Sequence, residues 1–127
     1  MKLVVPVHNK RISPVFDWCM RMMLIDSAPG RSPDRREIDI SWLAGIEKAQ
    51  VVADSGAHAL LCGGISSQLA GALAYHGVDV VSWIHGNADE IVEKFIDGTF
   101  SPGDHLMPGI TQFHQYKTDE KRTDGNS

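Results

Sequence analysis

Apolar and polar positions change rhythm about a third of the way along the chain. Lys2 to Val7, KLVVPV, is a nearly continuous apolar run, the pattern of a strand buried on both faces. It stops at HNKRISP, where Asn9 and Pro14 mark a turn. RMMLID, Arg21 to Asp26, is a second apolar run, ended by the proline- and glycine-bearing SAPGRSPD. REIDIS, Arg36 to Ser41, alternates charged and apolar residues as a half-exposed strand does. The pattern predicts strands at 2–7, 20–26 and 35–41. Their connections are too short for helical crossovers, so neighbours should be antiparallel.

Beyond Ser41 the period lengthens. Trp42, Ile46, Ala49 and Ala53 recur at helical spacing and Gly56 is a natural stop, which predicts a helix over 42–55. ALLCGG closes a short buried strand at 58–62. Ser66 can cap a helix over 66–76 whose Leu69, Ala72 and Leu73 share a face. VDVVSWI predicts a fifth strand at 78–84. Asn87, with Glu90 three residues on, can cap a helix over 87–97 that Gly98 ends. The two later strands should be parallel and joined by a right-handed crossover. The expected domain is α/β over residues 1–110, and the polar 111–127 reads as a disordered tail.

Composition narrows the function classes. Of 127 residues, 43% are hydrophobic and 22% charged, which suits one soluble domain. Sixteen acidic against twelve basic residues give a net charge of −4, which argues against nucleic acid as a partner. No apolar run approaches the roughly 18 residues of a membrane span. No membrane partner is expected, and the expected location is the cytoplasm. Cys19 and Cys62 form no CxxC pair, and the six histidines lack HxxxH spacing, so any metal site has to be assembled by the fold. Cys62 ends a buried strand and is expected to be a small hydrophobe.

Candidate chemistry gathers beyond the carboxyl ends of the first, fourth and fifth strands, where ligands bind in open α/β sheets. His8 and Asn9 follow the first strand, Gly63, Gly64 and Ser66 follow the fourth, and His85 follows the fifth. Glycines before a capped helix can present N–H donors to an anion. The bland alternative is a tight turn with Ser66 as a cap only. GxxxxGK[ST], GxGxxG and GxSxG are all absent, so neither a phosphate loop nor a serine elbow is indicated.

The segments KLVVPV, ISPVFD, LLCGGIS, HGVDVVSWIHG and EIVEKFIDG resemble, in order and spacing, the dinitrogenase iron–molybdenum cofactor biosynthesis family, the NifX-like and NifB C-terminal proteins. The resemblance runs from Lys2 to about Gly109. It implies a ribonuclease-H-like fold with a mixed five-stranded sheet, order 3-2-1-4-5, strand 2 antiparallel, flanked by helices. It also implies a non-catalytic carrier of an iron–sulfur cluster, of the iron–molybdenum cofactor precursor type, working with cofactor-assembly proteins. His8 and His85 would be its metal ligands, with Asn9, Gly63, Gly64 and Ser66 completing the site. Relatives of this type often end in an MPGC-like segment, whereas this chain has Met107-Pro108-Gly109-Ile110. The competing reading is a small-molecule or nucleotide-binding module using the Gly63-Gly64-Ser66 turn as an anion site.

Overall fold

A computed structural model of the chain describes residues 1–110 and 114–116. Its centre is β1 (Lys2–His8), whose Leu3 to Val7 are all buried. Leu, Val and Ile have no polar atoms to satisfy, and each is worth roughly 1.5–3 kcal/mol when fully buried. A strand apolar on both sides has to be covered on both faces and paired on both edges. On one edge β3 (Arg21–Asp26) runs antiparallel, with Leu3 opposite Ile25 and Val5 opposite Met23. On the other, β5 (Ala59–Leu61) runs parallel, with Val4 beside Leu60. The sheet extends outward through β4 (Asp34–Asp39), antiparallel to β3, and β6 (Asp79–Ser82), parallel to β5.

Alternation along these strands makes two cores. Val4, Met22, Leu60 and Val80 point to one face, with Val52 of α1 (Gly45–Asp54) and Leu69 and Leu73 of α2 (Ser67–Tyr75). Leu3, Val5, Met23, Leu61 and Val81 point to the other, with Ile91 and Val92 of α3 (Ala88–Asp97). Ser66 accepts the Leu69 N–H at 3.4 Å and Asn87 accepts the Glu90 N–H at 2.9 Å, so both expected caps start their helices. Gly98, at φ 81°, closes α3 in the left-handed conformation that a residue without Cβ adopts freely.

The five expected strands lie in the order β4-β3-β1-β5-β6, but the sheet is larger than five strands. A two-residue strand, β2 (Arg11–Ile12), folds back on β1 with His8 opposite Arg11. Asn9 and Lys10 connect them with φ of 51° and 66°, as a two-residue hairpin turn requires. Beyond β6 lies β7 (His114–Tyr116), antiparallel to it with Val81 opposite Gln115. The reading of 111–127 as a structureless tail is therefore corrected for these three residues. Their pairing answers the open edge of β6, which no local pattern announces. The rest of that segment lies outside the described residues.

The first helix is also corrected. It begins at Gly45, not Trp42, and Trp42 and Ile46 are 73% and 64% exposed. The buried positions are Lys48, Ala49 and Val52, a face rotated about one residue from the expected one. Lys48 is 4% exposed, so a long apolar stem fills a place that the hydrophobic pattern assigned elsewhere.

A chain cut after residue 113 loses the β6–β7 ladder and exposes the backbone edge of Val80 to Ser82. At roughly 1 kcal/mol net for each hydrogen bond lost, a melting point lower by about 3–8 °C is expected by calorimetry. An unchanged melting point would mean that this ladder contributes nothing.

Candidate functional site

The helices α1, α2 and α3 all start on the same edge of the sheet, at the carboxyl ends of β1, β5 and β6. That follows from the strand directions: β4, β5 and β6 all run parallel to β1 and each is followed by a helix, whereas the chain leaving β1 returns through antiparallel β3. The edge therefore collects helix N-termini and loops, and the sequence candidates fall along it. The β1–β2 hairpin and the loop entering α3 are tied by backbone: the Ile12 N–H donates to Gly86 O at 3.0 Å and the Ala88 N–H to Lys10 O at 2.9 Å. Arg11 and Asn87 add an antiparallel bridge. His8, Asn9 and His85 are thus brought onto adjoining loops. His8 and Asn9 are exposed, with Asn9 Nδ2 3.3 Å from His8 Nε2, while His85 is half-buried and its N–H donates to His105 O at 2.7 Å.

Gly63 and Gly64 have a different task. The Gly64 N–H donates to Pro14 O, and Gly64 O accepts from Phe16 N, both at 2.7 Å. Gly63 O accepts the Trp83 N–H at 2.9 Å. A Cβ on Gly63 would stand 2.5 Å from Pro14 O and 2.7 Å from Ser13 O. One on Gly64 would stand 3.2 Å from the Trp83 ring. The two glycines let three segments of backbone and an indole meet. The expected row of free donors is corrected at two points, because the Gly64 and Ser66 N–H groups both bond within the protein.

The Ser66 N–H donates to Asp17 Oδ1 at 3.2 Å. Asp17 Oδ2 lies 3.9 Å from where a Gly45 Cβ would stand, so one carboxylate sits between the starts of α1 and α2. The protein supplies its own anion at this pair of positive helix ends. Sequence reasoning missed that role; the only signal was an acidic residue inside the otherwise apolar PVFDW. Trp83 was also missed: its φ of 66° is a strained conformation for an aromatic residue.

Cys62 is fully buried, as expected of a small core residue, and burial pushes its thiol far above the ordinary value. Cys19 is buried as well, its thiol pushed up to about 11 by burial, with the Lys48 ammonium drawing it back. Among the described residues no three His, Cys, Asp or Glu side chains gather closely enough to hold a metal ion. His105 stacks on Phe100 at 5.5 Å, its Nε2 buried without a hydrogen-bond partner among the described residues. No helix among the described residues is long and apolar enough to cross a membrane.

The model of the dinitrogenase iron–molybdenum cofactor family matches residues 1–98, from β1 through α3. The chain belongs to this family. A curated relative, an uncharacterised protein of Methanocaldococcus jannaschii, is 24% identical over 103 residues, covering 77% of this chain and 87% of that protein. The apo form of the orange protein from Desulfovibrio gigas superposes with a TM-score of 0.65 at 25% identity, over 82% of this chain and 93% of the other. A proposed dinitrogenase from M. jannaschii gives 0.65 at 16% identity, over 80% and 92%, and shares the fold. Family membership links the chain to iron–molybdenum cofactor biosynthesis. The matched region holds the whole edge from His8 to Asn87; His105 and Met107 lie beyond it.

Two outcomes follow from this packing. Gly63→Ala drives a Cβ into backbone that cannot yield and should cost more than about 2 kcal/mol. Gly71→Ala, in open space on α2, should stabilise by about 0.5–1 kcal/mol, so denaturant midpoints should move in opposite directions. A Gly63→Ala protein as stable as the parent would refute the close approach. The cysteines give the second. Their raised thiols add stability that is fully present below the ordinary value of 9.0 and lost as pH rises from there through about 11 for Cys19. Labelling of either thiol in the native protein at pH 8 should be slow and follow unfolding. Fast stoichiometric labelling would place a thiol at the surface.

Proposed function

We propose that the protein is a non-catalytic carrier for an anionic iron–sulfur cluster of the iron–molybdenum cofactor precursor type, handing it on within metallocofactor assembly. The observation that carries this reading is the family match over residues 1–98, which spans the edge where the loops of His8, Asn9 and His85 adjoin. A cluster is the cargo here, and cargo has to leave. Two imidazoles on adjoining loops, with no third ligand gathered beside them among the described residues, suit a cluster held by few bonds and exchanged readily. Asn9 Nδ2 is an added hydrogen-bond donor beside His8. The glycine turn and Ser66 belong to the site as its frame: they fix Trp83 and the start of α2.

A role without catalysis is supported by Ser66, whose hydroxyl is committed to the α2 cap rather than to a base. The nucleotide-binding alternative has less support, since Asp17 already occupies the helix ends that a phosphate would seek. The partners expected are cofactor-assembly proteins and the cluster itself.

The test is anaerobic titration with an iron–sulfur cluster precursor, followed by visible charge-transfer absorption and bound iron. The wild type should take up cluster, and His8→Ala/His85→Ala should bind at least about tenfold more weakly while its circular dichroism is unchanged. Equal binding by the folded double variant would put the site elsewhere. No uptake by the wild type would end the carrier reading.

A further inference from the structure

On the α1 side of the same edge lies a cavity of about 560 Å³, between the Phe16–Trp18 turn and the first residues of α1. Its volume falls within the range of small-molecule sites, roughly 300–1,000 Å³. Trp18, Met20 and Leu43 form apolar walls, and Ser41, Asp17 and Lys48 bring in polar groups. It is distinct from the His8 hairpin, which is tied to the start of α3.

Lys48 makes this cavity chemically specific. The residue is 4% exposed, yet none of the ion pairs among the described residues includes it. Its ammonium carries three donors, and the bond it makes is to the backbone oxygen of Asp17 at 3.1 Å. A buried cation without a counter-ion is costly, and an anion from outside would relieve it.

Two features limit the anion. Asp17 lines the cavity, its carboxylate accepting the Ser66 N–H, and Glu47 reaches back to the Ala44 N–H at 2.9 Å. Two carboxylates nearby disfavour a multiply charged group such as phosphate and leave room for a single negative charge. The walls add the rest: Trp18 is 82% exposed and Met20 55%, a flat indole and a pliable thioether standing open at the mouth.

We propose that this cavity binds a small organic monocarboxylate with a flat apolar body, its carboxylate on the Lys48 ammonium and its body against Trp18 and Met20. This goes beyond the carrier reading and does not depend on it.

The experiment is calorimetric titration of the full chain with benzoate and naphthoate, set against naphthamide and inorganic phosphate. At least one carboxylate should bind, with naphthamide about tenfold weaker or worse, because the amide lacks the negative charge that would pair with the Lys48 ammonium. Lys48→Met should weaken the carboxylate by about tenfold while leaving the unliganded melting point unchanged or higher. Trp18→Ala, at an exposed position, should weaken it without loss of fold. The proposal is overturned if neither carboxylate binds, if naphthamide binds equally well, or if phosphate outcompetes both. Wild-type affinity in both folded variants would overturn it too.

Discussion

Everything in this fold hangs on a strand that is apolar on both faces and bonded along both edges. Leu3 to Val7 of β1 cannot be left open to water on either side, so helices must cover both. The same strand accepts an antiparallel neighbour in β3 and a parallel one in β5. Parallel neighbours need crossovers, and crossovers return the chain so that each helix begins at the carboxyl edge. The location of the candidate site is therefore a consequence of burying Val4 and Val5 in two different cores.

Gathering helix starts on one edge creates a positive field there, and the chain spends its own carboxylate on it. Asp17 meets the Ser66 N–H and lies close to Gly45, which leaves less attraction at α1 and α2 for an outside anion. What remains open is divided between two places. On the α3 side, exposed imidazole and amide groups stand on adjoining loops. On the α1 side, Lys48 sits in a cavity with a backbone carbonyl as its partner. The proposed cluster and the proposed carboxylate call for different donors, and the edge has imidazole and amide groups in one spot and an ammonium in the other.

How far the sequence could be read follows from the range of the interactions involved. Runs such as KLVVPV and VDVVSWI report burial directly, and Ser66, Asn87 and Gly98 act within a turn of their helices, so strands, caps and stops were legible. Long-range decisions were not. Trp42 and Ile46 have the helical period but not the packing, since Lys48 and Val52 face the core. His114 to Tyr116 carry no strand pattern and pair only because β6 offers an edge. At the site, the positions of His8 and His85 followed from strand ends. The closure of the glycine turn did not, because its partners Pro14, Asp17 and Trp83 come from elsewhere in the chain.

Trp83 shows what that closure accomplishes. A non-glycine residue at positive φ costs about 1–3 kcal/mol and persists only where its surroundings hold it. Here the N–H bonds Gly63 O, the carbonyl accepts the Met107 N–H at 2.9 Å, and the ring packs on Gly64. The small glycines are needed for the indole and the Pro14 backbone, which accounts for them without any ligand. The same bonds fasten the segment beyond the family match to the edge, through Met107 to Trp83 and His105 to His85. Ile110 stands where the resemblance expects cysteine, one turn past Met107, its N–H donating to Met107 O at 3.0 Å. An apolar residue at that place offers no thiolate near the His85 loop. On the carrier reading, the imidazoles then have to hold the cluster without it, and the bond to the cargo is correspondingly easier to break.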